Sequence, residues 1–153
     1  MAFDKEYDVL ASKFKLPAYK DLAQELDFSA VESDKFVLCQ VRKCMNDRLV
    51  IWIDVLEDVL SPDQARSSSL YESHFFNDEE RKTAFALFKR LMSHDRVLLE
   101  ALVVSDEKAD ADAIRKVWQD WQELKKGVLV IVRKMRDSWQ KDVAHEDYGG
   151  YLL

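Results

Sequence analysis

Two lone charges on apolar helical stripes are the first places to look for chemistry in this chain. Arg48 falls among Val41, Met45, Trp52, Val55, Leu56 and Val59, and Asp95 among Leu87, Leu91, Leu98 and Leu102, all at helical spacing. Either charge buried alone would cost several kcal/mol, and pairing is the natural escape. The sequence therefore predicts a buried Arg48–Asp95 ion pair that sets helix register. The chemical alternative is an anion-binding cavity with Arg48 in its floor.

The remaining reactive side chains assemble no signature. Asp54, Glu57 and Asp58 share one short stretch, and Glu107 with Asp110 has the i, i+3 spacing seen where neighbouring helices hold magnesium. With 29 acids in 153 residues such pairs arise by chance, so a metal-dependent nucleotide hydrolase stands third among the readings. A di-iron bundle needs Glu-x-x-His on two helices. The nearest approach is Asp142-x-x-His145, and it occurs once. Arg90 and His94 lie one turn apart and are expected to face solvent as ordinary surface residues. Cys39 and Cys44 sit about 140° apart on one helix, poor for a disulfide or a shared metal, and are expected as free, buried or half-buried thiols. The chain has no glycine-rich phosphate loop, Gly-x-Ser-x-Gly, Cys-x-x-Cys or His-Glu-x-x-His. No catalytic residue, metal or cofactor is expected.

Binding surfaces are better supplied. Arg115, Lys126 and Arg133 fall within about 20° of one another on a single helix, with Arg136 nearby. Lys82, Lys89, Arg90 and Arg96 extend the patch if the neighbouring helix faces the same way. Such a face suits nucleic acid or an acidic partner, although no aromatic residue is obviously exposed on the stripe for base stacking. Trp118, at the edge of its apolar stripe, and Tyr151, in a short apolar tail, are the candidate anchors for a protein partner. The other tryptophans, 52, 121 and 139, read as core.

The elements that must position these groups are helices. The first glycine is Gly127, and Pro17 and Pro62 are the only prolines. Tight β-turns lean on those residues, so a chain without them reads as long helices with few breaks. Periodicity predicts short helices over about 3–14 and 18–26, then long ones over about 30–60, 78–104 and 106–143. Ser29 with Glu32 reads as a capping box for the first long helix, and Asn77 before Asp78-Glu79-Glu80 as a strong start for the second. Ser67, Ser68 and Ser69 read as loop, with Ser69 and Glu72 capping a short turn. The core stripe of the second long helix takes in Leu91, Leu98, Leu99 and Leu102. Gly127, in the middle of the third, permits a close helix approach or marks a kink. The expected fold is all-α: an antiparallel bundle of three long helices with the two short ones packed against it. One domain is expected over 1–144 and a flexible tail over 145–153.

The composition, 48% hydrophobic and 34% charged with a net charge of −6, is that of a globular protein with an ion-paired surface. Acidity is concentrated before residue 80, and overall it argues against wholesale coating of nucleic acid. No signal segment or membrane-length apolar run is evident, which reads as cytosolic. The expected function is a non-catalytic interaction module or adaptor, monomeric or homodimeric, with a protein partner. Nucleic-acid binding through the basic face of the last helix is the alternative.

Overall fold

The computed structural model describes residues 2–31 and 33–141. The expected tail, with Tyr151 in it, lies outside the described residues. Six helices follow in order: α1 Ala2–Phe14, α2 Tyr19–Glu25, α3 Val37–Leu60, α4 Ser67–His74, α5 Asp78–Val104 and α6 Glu107–Ser138. Among the described residues there is no strand. The fold is the all-α bundle that the scarcity of glycine and proline implied, with α3, α5 and α6 packed together.

Three boundaries differ from the periodicity. The first long helix starts at Val37 rather than near 30. Asp27 accepts the Ser29 amide hydrogen at 2.9 Å, closing a local turn at Ser29; Glu32, the other half of the expected capping box, lies outside the described residues. That bond and the Ser29 hydroxyl hold the Asp27 carboxyl below its usual range. The entry to α3 is then set by Phe36, whose backbone is left-handed (φ 55°) and whose carbonyl accepts from Gln40. The serine triplet is not a loop but opens α4, where Ser69 is buried. At the other end α6 stops at Ser138, short of 143.

The helix starts at Asn77 and Asp106 follow their chemistry. Asn77 Oδ1 accepts the Glu80 amide at 2.8 Å while Glu80 Oε1 accepts the Asn77 amide at 3.0 Å, a reciprocal capping box. Asp106 Oδ1 accepts the Ala109 amide at 2.7 Å at the head of α6.

The chain forms two compact units, to each of which α3, α5 and α6 contribute a stretch. The first gathers Met1–Val50 and Ser93–Gln122; the second gathers Ile51–Met92 and Glu123–Leu153. In the first, α1 and α2 bury Phe3, Tyr7 and Leu22, and the Tyr7 hydroxyl donates to the Pro17 carbonyl at 2.7 Å. Tyr19 and Phe28 stack beside them. Met45, Leu49, Leu98, Ile114 and Trp121 fill the space between the long helices.

In the second unit Leu56, Leu91, Leu124 and Val128 are buried, and α4 closes one flank through Tyr71, whose hydroxyl donates to the Ser138 carbonyl. Gly127 marks close approach. A Cβ there would stand 2.9 Å from Leu87 Cδ2, so α6 needs a glycine, or a yielding Leu87, to lie this near α5. Trp139, expected as core, is 50% exposed; it stacks on Tyr71 and donates to Glu72.

Candidate functional site

The buried ion pair exists, but between other residues. Arg42 Nε donates to Asp110 Oδ1 at 2.7 Å, with both side chains almost fully buried. Arg42 Nη2 also reaches Cys39 Sγ at 3.2 Å. The expected partners are held apart: Asp95 accepts from Asn46 Nδ2 at 3.0 Å and from its neighbour Arg96, while Arg48 is half-buried elsewhere on α3. The reason is helical phase. The residues α3 buries, which add Leu38, Arg42, Leu49 and Ile53 to Val37, Val41, Met45, Leu56 and Val59, centre roughly 40° away from the expected stripe, which held Trp52 and Val55 instead. That rotation brings Arg42 inward and moves Arg48 to the edge.

His94 is the second correction. It is 7% exposed, not a surface residue, and its Nε2 lies 2.9 Å from Asp120 Oδ2. A carboxylate only accepts, so Nε2 carries the hydrogen in this bond. Nδ1 is buried without a hydrogen-bond partner among the described residues. Arg90, one turn earlier, is held by both Glu123 oxygens in the second unit.

The second unit has its own polar centre, which the sequence reading passed over. Arg81 donates to the carbonyls of Phe76, Val59 and Ser73 and to the Ser73 hydroxyl, which in turn donates to the Val59 carbonyl. One guanidinium thus closes the open carbonyl ends of α3 and α4.

The acids on which the third reading, a metal-dependent hydrolase, would depend are not gathered. Asp54 and Glu57 are exposed and Asp58 is half-buried. Among the described residues no set of three or more Asp, Glu, His or Cys is placed to hold a metal ion. Cys39 and Cys44 are free and half-buried, as expected, and burial raises the Cys44 thiol above its ordinary value.

What remains is surface, and it is uneven. In the first unit a pocket of about 350 Å³ opens between the start of α3 and the α5–α6 turn. Phe36, Cys39 and Arg42 line one side; Ser105, Asp106, Glu107 and Asp110 line the other. Two left-handed residues, Phe36 and Ser105, frame it. Phe36 is 81% exposed. The helix leading to Ser105 ends in Leu99, Leu102, Val103 and Val104, all exposed, while Leu98 and Ala101 are the residues it buries there.

In the second unit the exposed groups are basic and aromatic. Lys126, Arg133 and Arg136 are all exposed, with Arg136 paired to Asp137. Phe85 is exposed in a shallow depression lined also by Lys82, Ala86, Lys89 and Arg90. Arg115 belongs to the first unit, where it bonds Asp112 and the Phe14 carbonyl. Trp118, the expected anchor, is half-buried and stacks on Trp121.

Compared with known proteins, the chain matches no family model, no curated sequence and no solved structure.

Proposed function

We propose that the chain is a non-catalytic helical interaction module that docks a protein partner on the apolar end of its first unit. The observation that carries this reading is the uncovered run Leu99, Leu102, Val103 and Val104 beside an exposed, left-handed Phe36. At this end α5 turns Leu98 and Ala101 inward, so Leu99, Leu102, Val103 and Val104 are apolar side chains on its outer faces, in solvent. Exposed apolar surface of this kind is a mark of contact sites. A left-handed backbone at a bulky residue costs on the order of 1–3 kcal/mol and is kept where it positions something.

The chemistry beside the run describes the partner. Asp110 is neutralised by Arg42, which leaves Asp106 and Glu107 as an acidic lip, Glu107 facing Lys13 at 3.9 Å in solvent. The surface therefore suits an apolar segment carrying a lysine or arginine. The polar interior supports the non-catalytic part of the reading, since Arg42 and Asp110 are taken up by each other within the fold. A cytosolic setting, where the two free thiols stay reduced, fits the same reading, and no helix among the described residues is long and apolar enough to cross a membrane.

The test is a photo-crosslinker placed at Val103 in the full chain, in extracts of the source cells treated with nuclease, with sedimentation of the pure protein alongside. The reading expects one protein adduct that Leu102→Ser/Val103→Ser abolishes while the melting temperature holds. A self-adduct with a sedimenting dimer would make the partner a second copy. No adduct from Val103, or one that the serine variant leaves intact, removes the reading.

A further inference from the structure

Three contacts fix how α5 and α6 align in the second unit: Glu80 with Lys134, Leu87 with Gly127, and Arg90 with Glu123. The helices are antiparallel, and each step forward on one is a step back on the other. Carried outward, that register sets Lys82 level with Arg133 and Lys89 level with Lys126. Measured from the Leu87–Gly127 contact, Lys82 and Lys89 turn roughly 140–160° to one side of α5, and Lys126 and Arg133 roughly 100–120° to the matching side of α6. The buried Ala84, Leu91, Val128 and Ile131 turn the other way.

Four exposed cations therefore stand as two level pairs on one outward face. Each row repeats after seven residues, about 10.5 Å along the helix. Ala86 and Val130, both exposed, lie between the rows. The nearby acids do little to offset these charges. Glu123 holds Arg90, Asp137 holds Arg136, and Glu79 meets Lys82 only at 3.4 Å in open solvent. Lys89, Lys126 and Arg133 make no ion pair among the described residues. An aromatic ring borders the α5 row on the side away from α6: Phe85 is 52% exposed, with Lys89 Nζ 6.0 Å from its centroid and Glu57, Leu60 and Ser61 in the depression on its other flank.

We propose that this face of α5 and α6 binds single-stranded nucleic acid, its phosphates on Lys82, Lys89, Lys126 and Arg133 and a base stacked on Phe85. Cations repeated at fixed spacing suit a chain of repeated phosphates, and a flat ring beside them suits a base of any identity. An acidic peptide would use the charges but has no need of the ring. The inference goes beyond the protein-docking reading, because it concerns a different surface on the other unit.

The experiment is fluorescence anisotropy of labelled single-stranded RNA and DNA homopolymers of about 15 nucleotides, long enough for one site, against the full chain. Four phosphate contacts predict affinity falling roughly 50-fold between about 50 and 200 mM salt. Lys126→Glu/Arg133→Glu is expected to abolish binding. Phe85→Ala is expected to weaken it about 5- to 100-fold, the range base stacking supplies, with an unchanged salt slope. Circular dichroism melts show whether each variant is folded. Leu102→Ser/Val103→Ser, in the first unit, leaves binding intact, so this inference and the docking reading fail separately. No binding at low salt overturns the proposal. So does equal competition by polyglutamate with no effect of Phe85→Ala, which would make the occupant an acidic peptide.

Discussion

Two arginines, one in each unit, solve the same problem in different ways. Arg42 satisfies its charge with a carboxylate, Asp110, deep in the first unit. Arg81 spends its donors on the carbonyls of Val59, Ser73 and Phe76 in the second. Arg42 belongs to a charge pair, which an apolar pair of similar volume can replace. Arg81 answers open helix ends, which no single second substitution can close. The first is a register device; the second is a joint between helices.

The largest expected effect breaks the charge pair. Asp110→Ala leaves Arg42 buried and unpaired, and urea unfolding should show a loss of about 3–5 kcal/mol. Arg42→Met with Asp110→Leu should recover most of it, because the uncompensated charge is gone. Arg81→Met should come next, at about 2–3 kcal/mol from carbonyls left open. Ser73→Ala added to it should recover nothing. A rescue of Arg81→Met by that second change would erase the distinction between the arginines.

A smaller effect separates packing from polarity at Gly127. Gly127→Ala gains about 1 kcal/mol of helix propensity but must push aside the end of Leu87, so its midpoint should move by less than about 1 kcal/mol. Gly127→Val should cost about 1–3 kcal/mol by overpacking. The smallest effect is at Glu80. Its bond to Lys134, helped by the Asn77 amide, holds the carboxyl below the ordinary 4.5. A depressed carboxylate stabilises the fold above its unfolded value, and that contribution is lost as pH falls through the folded one. Glu80→Gln should therefore cost under about 1 kcal/mol at neutral pH, and the difference should vanish in acid thermal melts.

Much of the bundle was legible because helix chemistry is local. The Asn77–Glu80 box sits in four consecutive residues, and Gly127 announced a close approach without naming Leu87. The start of α3 was misread because Ser29 belongs to a local turn closed by Asp27, and the helix begins only at Val37, behind the left-handed Phe36. The polar interior was half legible. Periodicity required a charge to be buried and paired, but a stripe averaged over helix α3 cannot resolve a 40° rotation, roughly half a residue step. His94 was missed although it lies one turn from both Leu91 and Leu98, which is the signal that could have found it. The exposure of Leu99 and Leu102 has the same cause as the shift in α3: α5 turns Leu91, His94, Leu98 and Ala101 inward, roughly 50° from the stripe its leucines suggest.

The central claim is that the interior charges hold the fold and the exposed faces hold the function. Amide shifts of the full chain, followed by NMR during titration with a single-stranded oligonucleotide at low salt, test it most directly. The account predicts perturbations gathered at residues 82–90 and 126–133, with Arg42, Asp110 and His94 unmoved. Perturbations centred on Arg42, Asp110 and Phe36 would contradict it, because the buried pair would then be a ligand site rather than a structural one.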